Sequence, residues 1–194
     1  MDRNTRTLAT RLLLAGGVIS LSAPAAADFV KDSKASLELR NFYFNRDYRQ
    51  DNAAQSKQEE WAQGFLLRYE SGFTEGLIGV GFDAIGLLGV KLDSSPDRAG
   101  SGLLKRHRDT SKGAQDEYGE LGLTAKVRAS KSTLKLGTLL PKLPTVLAND
   151  SRLLPQTFKG GQLTSLELEG LTVDAGRLTQ VNQRDSSDYE DMGI

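Results

Sequence analysis

Cysteine is absent from this sequence of 194 residues, histidine and tryptophan each occur once, and acidic and basic side chains balance at 25 each. Without cysteine there is neither a disulfide framework nor a thiolate metal site, so an exported chain of this kind must bury or close its structure by other means. The one histidine, His107, lies in the basic run Lys105-Arg-His-Arg108 with no second ligand beside it, which argues against a metal centre and against histidine acid–base chemistry. The balanced charge lacks the basic excess that would suggest nucleic acid. Beyond the first 27 residues there is no long apolar run, so no transmembrane helix is expected. A membrane barrel is not excluded by this, because its strands show only alternation.

Catalytic patterns are equally scarce. No Gly-x-Ser-x-Gly occurs, and Gly79-Val-Gly-Phe-Asp-Ala84 resembles a dinucleotide fingerprint only superficially, since it lies inside an alternating segment and opens no helix. Paired carboxylates such as Glu59-Glu60 read as loop residues without an acid–base role. The expectation is a non-enzyme with no cofactor and no metal.

What is present begins with a leader. Arg3, Arg6 and Arg11 precede an apolar run from Leu12 to Leu21, followed by Ser22-Ala-Pro-Ala-Ala-Ala-Asp28. This is the layout of a secretory signal peptide over residues 1–27, cut after Ala27; the run is too short to cross a bilayer as a helix. Cleavage removes three Arg and one Asp and leaves a net charge of −2.

The remainder alternates with period two. The first segment, from Ala35, sets Leu37, Leu39 and Tyr43 against Ser36, Glu38 and Arg40. Trp61 to Phe73 sets Trp61, Phe65, Leu67 and Tyr69 against Gly64, Arg68 and Glu70, with Leu66 as an exception on the polar side. Leu77 to Leu92 contains four glycines, each costing a helix about 1 kcal/mol relative to alanine, so it reads as a strand. Further strands are predicted at Glu120 to Ser130, Thr133 to Thr138, Leu163 to Glu169 and from Leu171, seven in all.

Long and short connections alternate through the six junctions. Asp47 to Glu60, Asp93 to Tyr118 and Leu139 to Gly161 are long; Thr74-Glu-Gly76, Lys131-Ser132 and Gly170 are short. An outer-membrane up-and-down barrel is built this way, with short turns on the periplasmic side and long loops outside. A soluble sandwich has no reason for it. One face carries aliphatics with aromatics near strand ends, suited to lipid, and the other mixes glycine with charge, suited to a wet lumen. The stretch 139–161 holds three prolines, Pro141, Pro144 and Pro155, which a sheet ladder does not accommodate, yet it is rich in Leu, Val and Phe. It reads as a loop folded against the inside of a larger structure.

Several blocks, among them Ala35-Ser-Leu-Glu-Leu-Arg-Asn-Phe-Tyr-Phe-Asn-Arg-Asp47, Tyr69-Glu-Ser-Gly-Phe-Thr-Glu-Gly76, Gly81-Phe-Asp-Ala-Ile-Gly-Leu-Leu-Gly-Val-Lys-Leu-Asp93 and Asn149-Asp-Ser-Arg-Leu-Leu-Pro-Gln-Thr-Phe158, resemble the OprD family of substrate-selective outer-membrane porins. The resemblance implies an all-β, antiparallel, up-and-down transmembrane β-barrel of eighteen strands, monomeric when full length. Residues 28–194 would be its N-terminal part, since seven strands are fewer than such a barrel needs and the end, Asp188 to Ile194, reads as a loop.

It further implies a ladder of basic lumen side chains that guides the carboxylate of a small nutrient. By parity the candidates are Arg40, Arg68, Lys91, Lys126, Arg128 and Lys135. The alternative is that these pair with Glu38, Glu70, Asp83, Glu120 and Glu167 merely to hold the barrel shape. The family also implies a constriction formed by the inward loop, with Asn149, Asp150, Ser151 and Arg152 at the narrowest point and Leu153, Leu154 and Phe158 against the wall; the alternative is an external cap. Expected partners are small carboxylates, outer-membrane lipid and lipopolysaccharide, whose phosphates the Lys105 to Arg108 run could meet, and no nucleic acid. The rival reading is a structural or adhesive barrel that conducts nothing; a periplasmic β-fold enzyme would need a polar cluster that the chain does not show.

Overall fold

A computed structural model describes residues 29–50, 52–107 and 113–193. The leader and Arg108 lie outside the described residues. Eight strands follow one another: β1 Lys34–Asp47, β2 Lys57–Glu70, β3 Ile78–Asp93, β4 Glu117–Ala129, β5 Ser132–Leu139, β6 Thr157–Ser165, β7 Val173–Asn182 and β8 Tyr189–Asp191. They form one sheet in the order β1-β2-β3-β4-β5-β6-β7-β8, every neighbouring pair antiparallel. This is the up-and-down arrangement that the alternating connections predict.

Several boundaries differ from the sequence reading; β2, for one, runs Lys57–Glu70 rather than from Trp61 to Phe73. An eighth strand, β8, occupies part of the terminal run read as a loop. Strand β6 begins at Thr157, so the inward loop covers 140–156, and Phe158 is a strand residue paired with Leu139. The β6–β7 connection spans 166–172 rather than Gly170 alone. The pair Glu59-Glu60 lies within β2, not in a loop. For β6 the reason is physical: Gly160 and Gly161 carry no side chain to show alternation, and a register shift between Lys159 and Gly160 breaks the period. Leu166 and Leu168 meanwhile continue the pattern into the turn.

The two faces separate as period two requires. Leu37, Leu39, Leu67, Leu121 and Leu123 point outward and are more than half exposed. Such a contiguous apolar face is what lipid covers in a membrane barrel. The other face is packed by two inward-folding segments, the described part of the β3–β4 connection (94–107 and 113–116) and the loop 140–156. Ala62, Leu66, Ile85, Leu87 and Tyr118 of the wall meet Ala99, Leu103 and Leu104 of the first loop and Leu153 and Leu154 of the second. Leu66, out of place as a lumen residue, is completely buried beneath them. The core of this chain is thus on the inner side of the sheet.

At the short-turn end the chain doubles back on itself. The amide of Gly72 donates to Phe29 O at 3.1 Å and to Ser33 Oγ at 3.2 Å, and the Phe29 and Tyr69 rings both lie against Phe82. Residues before β1 are thereby tied to the β2–β3 turn.

Candidate functional site

Strands β2 to β6 and the 140–156 loop enclose a cavity of about 1250 Å³ on the inner face. Arg68, Lys126 and Lys135 line it together with Asn149, Asp150 and Ser151 of the loop. Alternation places the three cations there, because each stands on the inner parity of its own strand and antiparallel register aligns them: Lys126 faces Lys135 directly. Like charges side by side need a shared counter-ion. Asp83 supplies it, with Oδ1 2.5 Å from Lys126 Nζ and Oδ2 3.0 Å from Lys135 Nζ. Lys126 also donates to Ser71 O at 2.6 Å and is buried, whereas Lys135 stays half-exposed to the cavity.

A second group ties β1 to the loop. Arg40 donates from Nε to Glu38 Oε1 at 2.6 Å, from Nη1 to Asp150 Oδ1 at 2.5 Å and from Nη2 to Asp150 Oδ2 at 2.9 Å. Glu38 Oε2 in turn accepts from Arg68 Nη1 at 2.9 Å. Two arginines, one glutamate and the loop aspartate thus form a continuous chain across β1, β2 and the loop.

The remaining candidates fall elsewhere. Lys91 sits under the 94–116 loop, donating to Ala114 O at 3.1 Å and pairing with Asp116 at 2.5 Å. That hydrogen bond from Lys91 holds the Asp116 carboxyl below its ordinary range. Arg128, near the short-turn end of β4, places its guanidinium 4.4 Å from the centre of the Phe73 ring and makes no ion pair among the described residues. Arg152 turns back to the wall, its guanidinium 5.1 Å from the Phe44 ring centre, and does not line the cavity with its three loop neighbours. Lys105 is engaged by Asp188 at 3.0 Å.

Sequence reasoning missed a polar cluster at the far side of the wall. Glu120 accepts from Thr157 Oγ1 at 2.6 Å, from Asn182 Nδ2 at 2.9 Å and from the Tyr189 hydroxyl, and Lys159 Nζ stacks 3.9 Å from the centre of the Tyr189 ring. The proline-rich sequence places Thr157 and Lys159 in the loop, which hides their inner parity, and Tyr189 falls in the terminal run that reads as a loop. The only signal available was the isolated inner-face carboxylate Glu120.

Comparison with known proteins agrees with this architecture. Residues 27–194 match the family described as outer membrane porin, OprD family. The porin-like protein GalP of Pseudomonas putida is 44% identical over 176 residues, which is 90% of this chain and 42% of GalP. The crystal structure of Pseudomonas aeruginosa OccK9 (OpdG) is 59% identical with a TM-score of 0.82, over 85% of this chain and 42% of that one. Pseudomonas aeruginosa OpdK, solved with vanillate, is 48% identical with a TM-score of 0.74, over 85% of this chain and 40% of OpdK. The chain therefore spans less than half the length of these relatives, which are porins and not enzymes. By the match over nearly all of its described residues, it belongs to the OprD family of outer-membrane porins.

Proposed function

We propose that this chain forms the N-terminal wall of a substrate-specific channel for passive diffusion of small carboxylate-containing nutrients across the outer membrane, the complete barrel being monomeric. The observation that carries the reading is the basic inner wall: Arg68, Lys126 and Lys135 border the same cavity as Asn149, Asp150 and Ser151 of the inward loop. A pore selects by its width and by the charges that line it. Basic side chains attract a carboxylate, and the loop narrows the path, so a small anion is held briefly and released. Vanillate, present in the OpdK structure, is an aromatic carboxylate, which supports this class of substrate. Arg128 joins the ladder as its cation with no carboxylate on it among the described residues, and Arg40 and Lys91 extend it along the wall.

The test is single-channel conductance of a complete barrel containing this chain in a planar bilayer. Small currents blocked by carboxylates are expected, and Arg128→Gln should raise the blocking concentration. An unchanged block removes Arg128 from the ladder, and a barrel without current favours the non-conducting structural reading. That second reading draws on the pairing of Arg40, Arg68, Lys91, Lys126 and Lys135 with Glu38, Asp83, Asp116 and Asp150. Residues 1–27 are proposed as the export leader, so the membrane-inserted protein should begin at Asp28 on N-terminal sequencing. Contact of the basic loop around Lys105 and His107 with lipopolysaccharide belongs to the same proposal and should weaken in Arg106→Gln.

A further inference from the structure

We infer that Asp150 is a built-in occupant of a carboxylate site: it fills the Arg40 fork until a permeating carboxylate displaces it. The inference rests on the channel reading above. Arg40 offers its two terminal nitrogens side by side to Asp150, at 2.5 and 2.9 Å, the parallel two-bond geometry in which a guanidinium takes any carboxylate. Its third donor direction, Nε, is held by Glu38, and Glu38 is held by Arg68. The fork is therefore aimed whether or not Asp150 is on it.

Asp150 is held differently. Its side chain is 45% exposed, at the cavity, and Arg40 is its one ion-pair partner among the described residues. The loop is attached through other residues. Leu153 is completely buried and Leu154 nearly so against the wall, the Ser151 hydroxyl accepts from Arg184 Nη1 at 2.7 Å, and Gln156 Nε2 donates to Gln183 Oε1 at 3.0 Å. Asp150 can leave Arg40 while the loop remains seated. An incoming carboxylate then meets the same two N–H groups, and one partly exposed ion pair is exchanged for another of equal kind. Asp150 thereby sets the affinity a substrate must exceed, and by returning to Arg40 it speeds release, which conduction requires as much as binding.

The test titrates benzoate against ionic current through the complete barrel. Asp150→Asn removes the resident charge and should lower the half-blocking benzoate concentration roughly two- to fivefold, the scale of a partly exposed ion pair. Adding Arg40→Gln to that variant should abolish the gain. The proposal is overturned if Asp150→Asn changes open-channel conductance or protease sensitivity of the loop while leaving the half-blocking concentration unchanged, or if the gain survives without Arg40. A wild-type barrel that conducts but ignores benzoate overturns the carboxylate reading itself, and this proposal with it.

Discussion

Leu153 lies on the bare backbone of Gly64: a Cβ added at that glycine would come within 3.1 Å of both Cγ and Cδ1 of Leu153. Gly89, the cross-strand partner of Gly64, forms the other half of the seat, with Leu153 Cδ2 3.1 Å from its own would-be Cβ. Two glycines paired across β2 and β3 make a depression in the wall, and the inward loop is keyed into it.

Leu153→Ala should therefore destabilise the barrel by about 2–5 kcal/mol, the range for emptying a buried leucine site. Thermal unfolding monitored by heat-modifiable gel mobility would measure it. Gly89→Ala should cost more than Gly64→Ala, because the added methyl at Gly89 also runs into the Tyr118 ring, which is buried and pinned by its hydroxyl donating to Leu103 O at 2.8 Å. At Gly64 only the flexible end of Leu153 and its carbonyl are in the way. Equal losses for the two variants would count against the seat.

A buried carboxylate helps to fasten residues 94–104 to the wall. Glu60 is completely buried and accepts from the Ser101 amide at 3.0 Å, from the Ser101 hydroxyl and from the Ser94 hydroxyl at 3.3 Å. Glu60→Leu leaves the Ser101 amide without its acceptor and should cost about 1–3 kcal/mol. Trypsin cleavage at Arg98 and Lys105 should become faster in that variant, since the loop is released from the wall. Cleavage at the wild-type rate would show that the apolar contacts of Leu103 and Leu104 suffice.

Glu167 organises the two-residue β4–β5 turn from the neighbouring connection. It accepts from the Lys131 amide at 2.8 Å, the Ser130 hydroxyl at 3.0 Å and the Ser132 hydroxyl at 3.0 Å, while Ser130 sits in the left-handed region at φ 51°. The Lys131 amide, aided by the two hydroxyls, holds the Glu167 carboxyl below its ordinary range. A carboxyl lowered on folding stabilises the turn fully above its unfolded value, 4.5, and that contribution is lost as pH falls through the lowered folded value. Hydrogen exchange at the Lys131 amide, corrected for its intrinsic pH dependence, should lose protection below that pH in the wild type. In Glu167→Gln protection should be lower at neutral pH and carry no such step.

Much of this protein was legible in its sequence because alternation is local: a strand residue's face depends only on its parity. Leu37, Leu39, Leu121 and Leu123 outside, and Arg68, Lys126 and Lys135 inside, follow from counting by two, and the order of long and short connections follows from the turn residues. Tertiary structure alone decided what each inner charge meets. Asp83 bridging Lys126 and Lys135, Asp150 on Arg40, and Leu153 on the paired glycines Gly64 and Gly89 all join residues far apart in the chain, brought together by cross-strand register and loop folding. Register across strands depends on pairings that no single segment contains, and where glycine and a bulge interrupt the period, as at Lys159 to Gly161, even the face of a residue is settled only by its neighbours.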